Sequence, residues 1–251
     1  MNPSDESSIP LDKNCQILDY HPSGLIAFEK APGVLSHPNQ KTAKNVRTLL
    51  RATYRKEDEC FEWKNSSGEA KRLDLCQRLD CPTSGIIIGA TEMSVAEKIK
   101  EKFERREVKK TYLAITHHNP RLREGIWRDN LIEKRKDGNL RVVRGNGPEC
   151  LVKVKIIRKQ FTRNQLQLIE MKPLTGRTHQ LRVQCMLRKV PILGDKTYGD
   201  FSLNRRIQKL TKLDRLCLHA SEIKFSFVHQ NSEVSFTCES PLPRLLGKIL
   251  T

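Results

Sequence analysis

The chain has 251 residues, 46 of them Lys or Arg against 29 Asp or Glu, for a formal charge of +17; it is 37% hydrophobic and 30% charged. Those fractions exclude a chain disordered throughout, and the length suits one large domain or two small ones. A membrane-crossing helix needs about 20 apolar residues in succession, and no run in the sequence approaches that.

In chain order, residues 1–13 read as a flexible tail and residues 14–251 as a single domain. The polar, acidic start Met1–Glu6 and the lack of any arginine before Arg47 fit neither a signal peptide nor a transit peptide, so a cytoplasmic location is expected. Ile17–Phe28 alternates weakly and runs into the breaker-rich turn Glu29–Gly33. Asn45–Arg55 is predicted as a short basic helix, and Asn65-Ser66-Ser67-Gly68 as a loop. Gly85–Ala90, with three consecutive isoleucines, reads as a buried strand. Ser94 and Glu97 fit a capping box that opens a helix with the apolar stripe Val95, Ile99 and Phe103. Thr111–Thr116 returns as a strand. Val152, Val154 and Ile156 alternate with Lys153 and Lys155, a strand with one wet face. Leu166–Met171, Ile223–Val228 and Glu233–Cys238 follow the same pattern. The sum is an α+β fold with a mixed, largely antiparallel sheet and flanking helices.

The charge surplus marks a polyanion binder, and a nucleic acid is the expected partner. Its densest block, Lys98–Lys110, also suits a solvated helix face with Glu101 and Arg105 paired four residues apart. Aromatics are only 6% of the chain, which disfavours a single-strand binder built on rows of stacking rings. The eight cysteines are widely spaced with no CxxC pair; they read as buried thiols rather than zinc ligands, and no metal is expected.

Arg-Leu-Asp occurs twice, at Arg72–Asp74 and Arg78–Asp80. Only the second runs into Cys81-Pro82-Thr83-Ser84-Gly85 and the isoleucine strand. An acid on a tight loop backed by a rigid strand is held in place yet can face a cleft, as a catalytic carboxylate must. An Asp that merely caps the loop or pairs with Arg78 is the plainer alternative.

The longer string Gln77-Arg78-Leu79-Asp80-Cys81-Pro82-Thr83-Ser84-Gly85 resembles the catalytic motif of the RluA family of RNA pseudouridine synthases. The resemblance continues in order through Lys30, Gly33, His37 and Pro38, then Lys110-Thr111-Tyr112-Leu113-Ala114. Gly176-Arg177-Thr178-His179-Gln180-Leu181-Arg182-Val183 follows, and Gly194-Asp195, Tyr198-Gly199 and Leu218-His219-Ala220 complete it. It implies a pseudouridine-synthase-like fold around a basic catalytic cleft. It also implies a reaction that cleaves the N-glycosidic bond of a uridine in tRNA or rRNA and rejoins the base through C5, without cofactor or metal.

By that resemblance Asp80, Tyr112 and Arg177 carry catalysis. Asp80 acts as the carboxylate, Arg177 as the cation that keeps it ionised, and Tyr112 as floor for the uracil and acceptor of the C5 proton. Arg78 fills the place of the extruded base. Arg78, Lys30, Lys110 and Arg182 are expected to bind RNA, and Leu218 to line the pocket. His37, His179 and His219 are read as hydrogen-bonding residues rather than general bases. The partner is expected to be a structured stem-loop, the protein a monomer off the membrane.

Two departures stand out. The family's usual His before Arg-Leu-Asp is Gln77 here, which removes a chargeable support for Arg78. Too few residues precede Ile17 for the small RNA-binding module of many relatives, so affinity is expected to come from the domain's own basic surface. A catalytically silent RNA-binding protein of the same fold is the alternative. A hydrolase with paired acids is a third reading, and Asp74 is its one nearby second carboxylate.

Overall fold

The computed structural model describes residues 9–38, 46–136, 139–159 and 165–250. They form two compact units, Met1–Val108 with Glu222–Ser240, and Lys109–Ser221 with Pro241–Thr251.

In the first unit, β1 (Gln16–Tyr20) and β2 (Leu25–Lys30) form a hairpin, and β2 pairs antiparallel with β6 (Ser84–Ala90). β3 (Thr53–Arg55), β4 (Cys60–Lys64) and β5 (Ala70–Leu75) meander antiparallel up to β6. β6 is buried along its whole length because it serves two cores. Ile86 and Ile88 join Leu25, Ala27, Val95, Ile99, Phe225 and Phe227 on one side, and Ile87 joins Ile26, Phe28, Phe61 and Leu73 on the other. A strand wet on neither face cannot alternate in sequence, which explains its unbroken apolar run.

Helix α1 (Met93–Glu104) covers the first of these cores with Val95, Ala96 and Ile99. It begins two residues ahead of the start that the expected capping box implied: Glu92 rather than Ser94 is its N-cap, with no side-chain bond. The Glu92 carbonyl already accepts from the amides of Val95 and Ala96. Arg105 and Glu101 pair at 2.5 Å, as their spacing suggested.

The expected helix at 45–55 is absent from its described part. The Leu35 amide donates to Arg47 O, the Leu49 amide to Leu35 O, the Asp12 amide to Leu49 O and the Arg51 amide to Pro10 O. These partners consume the groups a helix would have bonded internally. The same contacts dock the end of the expected tail: Ile9 is buried, Leu11 bridges Leu50, and the buried Asp12 carboxylate is paired with Arg47. Residues 1–8 of that tail lie outside the described residues.

In the second unit, β8 (Gly125–Lys136), β9 (Asn139–Lys159), β10 (Leu166–Pro173) and β7 (Lys109–His117) pair antiparallel in that order. The first residues of β11 (Leu218–His229) lie along β7, where the Ile115 amide donates to Cys217 O and Ser221 Oγ to Thr111 O. The rest of β11 belongs to the first unit and pairs with β12 (Ser232–Glu239). Helices α2 (Gln180–Leu187), α3 (Phe201–Thr211) and α4 (Arg244–Lys248) follow in chain order. Ala114, Ile115, Val152, Val154, Ile169, Leu181 and Leu246 pack in one core of this unit.

Candidate active site

Asp80 sits on the loop between β5 and β6, and its two neighbours are clamped by the segment after β2. Ser36 Oγ donates to Leu79 O at 2.9 Å and accepts from the Leu79 amide at 3.0 Å, so one hydroxyl satisfies both backbone groups of that buried residue. On the other side, Cys81 O accepts from Lys30 Nζ at 3.1 Å and from the Gly33 amide at 2.8 Å. Gly33 reaches this carbonyl from a left-handed conformation, φ +79°, which disfavours any other residue. Asp80 itself is half-buried and closes a turn in which its carbonyl accepts from the Thr83 amide at 3.0 Å. The acid is thus fixed through its backbone, and its side chain need not pack to stay in place.

Lys30 is not a surface contact for RNA. It is fully buried, and its ammonium donates to the carbonyls of Ala31, Val34 and Cys81 at 3.0, 2.7 and 3.1 Å. A buried charge persists only where it is hydrogen-bonded, and here it ties the Asp80 loop to the β2 turn. Asp74 of the first Arg-Leu-Asp is buried on β5 in a bidentate pair with Arg72, at 2.7 and 2.9 Å. It is occupied as a structural partner, which removes the second acid a hydrolase would need.

Arg78 is exposed, with Nη1 3.2 Å from Nε2 of His37. The His37 ring stacks on Tyr54, centroids 4.9 Å apart and planes 14° from parallel, and its Nδ1 is 2.7 Å from Pro38 O. A carbonyl only accepts, so Nδ1 carries the proton and Nε2 offers Arg78 a lone pair. Burial pushes the Tyr54 phenol up to about 12, so the supporting ring stays neutral. Gln77 turns elsewhere and donates to Ile86 O at 3.2 Å. His37 therefore gives Arg78 the support that Gln77 does not. The sequence held only a weak signal of this, a His-Pro pair far from the Arg.

In the second unit Tyr112 lies on β7 opposite Met171 of β10, half-buried against the core that also contains Leu218. Leu218 is buried there as a core residue. Lys110, two residues before Tyr112, is half-buried, and burial lowers its ammonium below the usual range. Its Nζ lies against Gly176, where an added Cβ would come within 3.4 Å of it. That places Lys110 beside the loop that carries Arg177. Arg177 is exposed on a backbone held by Gln180, whose Oε1 accepts from the Arg177 amide and from Thr175 Oγ1 and whose Nε2 donates to Leu151 O.

Helix α2 begins at Gln180, directly after His179, which adopts a left-handed φ of +52°. Arg182 is a second correction. It is buried and bidentate to Asp195 at 2.8 and 2.9 Å, with its guanidinium 5.1 Å from the centre of the Tyr198 ring. Asp195 Oδ1 also accepts from the amides of Thr197 and Tyr198, and the Tyr198 hydroxyl joins His179 Nδ1 and the Val142 amide, each at 2.8 Å. The two motifs around 179 and 195 are one buried network that fixes helix α2. Its members hold structure rather than substrate, as expected for His179 and against expectation for Arg182.

Residues 24–187 match the family described as RNA pseudouridylate synthase. The ribosomal large subunit pseudouridine synthase C of Buchnera aphidicola subsp. Baizongia pistaciae is 32% identical over 71% of this chain and 56% of that protein. The protein of the same name from Rickettsia bellii is 30% identical over 93% and 71%. The chain thus spans little more than half of the first relative and about seven-tenths of the second. Among solved structures, human RNA pseudouridylate synthase domain containing 4 superposes with a TM-score of 0.65 at 26% identity, covering 92% of this chain and 90% of that one.

Proposed function

From the premise that this chain belongs to the RNA pseudouridylate synthase family, in its RluA branch, we propose that it isomerises a uridine in structured RNA to pseudouridine. The N1–C1′ bond breaks, the uracil turns, a C5–C1′ bond forms, the C5 proton leaves and N1 gains one. Nothing is oxidised or reduced, and the atoms of substrate and product balance. Asp80 supplies the carboxylate at the sugar, Tyr112 the aromatic floor and the acceptor for the C5 proton. Arg177 keeps the cationic role the resemblance implies. Arg78 occupies the space left by the extruded base, stacking and donating at once. Lys110 and the Leu218 wall complete the proposed set. The observation that carries the reading is the clamp on Leu79 and Cys81, which holds an accessible acid next to an exposed, pre-oriented arginine.

We extend the proposal to residues 14–251 acting as one catalytic domain, supported by a family match that runs through residues of both compact units. The substrate we propose is a stem-loop of tRNA or rRNA, and the protein a cytoplasmic monomer. No helix among the described residues is long and apolar enough to cross a membrane. The test is RNA labelled with tritium at uracil C5. Isomerisation releases the label to water, hydrolysis frees labelled uracil, and a protein that only binds does neither.

The support of Arg78 gives its own expectation. Losing the His37 acceptor in His37→Leu should lower kcat/KM for tritium release by about tenfold, the worth of a hydrogen bond to a charged group. His37→Gln, whose amide oxygen reaches to about the place of Nε2, should recover most of it. Equal rates for Leu and Gln would show that the ring only packs against Tyr54.

A further inference from the structure

Resting on the proposed isomerase and on the cationic role given there to Arg177, we infer that Gln184 is a positioning residue. It acts through Gln180 to set the loop from which Arg177 projects. Gln180, Gln184 and Arg188 stand four residues apart along α2 and at its C-cap, so they share one face of the helix. That face is polar although it is turned inward: Gln180 and Gln184 are both buried, Gln184 completely. Buried amides persist only where their groups are bonded. The pairing of β10 with β9 ends at Pro173 and Val152. Beyond it the carbonyls of Leu151 and Cys150 accept from Gln180 Nε2 and Gln184 Nε2, each at 3.1 Å.

The two amides are joined, Gln180 Nε2 donating to Gln184 Oε1 at 3.2 Å. Gln184 Nε2 also donates at 2.9 Å to Asp129 Oδ2, with Trp127 O a longer 3.4 Å away. The same Asp129 oxygen accepts from Arg188 Nη1 at 2.7 Å. These bonds run in one direction. Carbonyls, and an oxygen that already receives a guanidinium, only accept, so the Gln184 nitrogen faces them and its oxygen faces Gln180. Gln180 in turn gives its nitrogen to Gln184 and Leu151, which leaves its oxygen for the loop. There Oε1 accepts from Thr175 Oγ1 at 2.9 Å and from the Arg177 amide at 3.1 Å. The backbone amide of Gln180 donates to Arg177 O at 3.1 Å. One residue thus holds both backbone groups of Arg177, as Ser36 holds those of Leu79, and the exposed guanidinium leaves from a fixed base. An inverted Gln180 would set N–H against N–H at Arg177. Gln184, completely buried, meets no RNA itself; with Asp129 and Arg188 behind it, it keeps Gln180 the right way round.

The test is Gln184→Met in the full chain, which keeps the length of the side chain but ends its bonds to Gln180 and Asp129. With the C5-tritiated RNA, kcat should fall by about tenfold, the worth of a buried hydrogen bond, while KM stays within about twofold. Amide hydrogen exchange gives a second reading that needs no turnover. The Arg177 amide should speed up by about tenfold more than those of Val183 and Cys185 inside α2. In a Gln180→Met background the same change should lower kcat no further, because its route is already cut. A lowered urea midpoint with kcat and Arg177 exchange unmoved would overturn the assignment and leave Gln184 a residue that only satisfies buried carbonyls. Losses in kcat that multiply across the two positions would overturn it as well. Gln184→Asn keeps an amide but draws it back by one methylene, too short to span Gln180 and Asp129. It should show the same fall in kcat at constant KM, and it decides the matter if the Met variant does not fold. If the wild type releases no tritium, the isomerase reading fails, and the exchange comparison still decides whether Gln184 sets the Arg177 loop.

Discussion

Asp80→Asn is expected to reduce release of tritium from C5-labelled RNA by about a thousandfold or more, while RNA affinity changes little. Asparagine keeps the size and hydrogen-bonding reach of aspartate but can act neither as a nucleophile nor as a base at neutral pH. Residues that act directly at the reacting bond cost factors of this order when removed. The substitution leaves the loop in place, because the bonds to Ser36, Lys30 and Gly33 run through the backbone of Leu79 and Cys81. Removing a negative charge also cannot weaken attraction to phosphate. Parallel loss of binding and turnover would make Asp80 a structural residue, and retained turnover would end the proposed chemistry.

Arg182→Met is expected to lower stability at neutral pH by about 3–5 kcal/mol, the cost of stripping one partner from a buried pair and leaving the other charged. The sign with pH follows from Asp195. In the wild type burial alone would raise its carboxyl, but the Arg182 hydrogen bonds, with those from Thr197 and Tyr198, hold it below the usual 3.8. Its contribution is therefore present above that value and fades only as pH falls through the lowered one. In the variant burial dominates, the carboxyl rises, and protonation relieves the strain. The gap in urea midpoint between wild type and variant should therefore narrow from pH 7 towards pH 4. An RNA-facing Arg182 would give the opposite pattern, with weakened RNA binding and unaltered urea midpoints.

These corrections show where a linear reading stops. The isoleucine strand was legible because burial on both faces leaves a composition no other element has, and β9 because Val152 and Val154 alternate with Lys153 and Lys155. Lys30 and Arg182 were not. A lysine that will donate to three carbonyls and one that will meet solvent are the same letter, and the difference lies in carbonyls up to 51 positions away. The 46–55 stretch misled for a related reason, since its backbone partners at Pro10, Asp12 and Leu35 are remote in sequence. The acid, the arginine before it and the tyrosine were singled out because ordered motifs, unlike single residues, carry family information.

The clamp around Leu79 and Cys81 consists wholly of bonds within the protein, and that shifts where the work of reaching the transition state is done. A protein loop that needs no ordering leaves the conformational expense to the nucleotide, which must quit its stack at a cost of about a few kcal/mol. Uridines already loosened in hairpin loops, bulges or mismatches should then react fastest, and the same base locked in a continuous duplex slowest, whatever letters surround it.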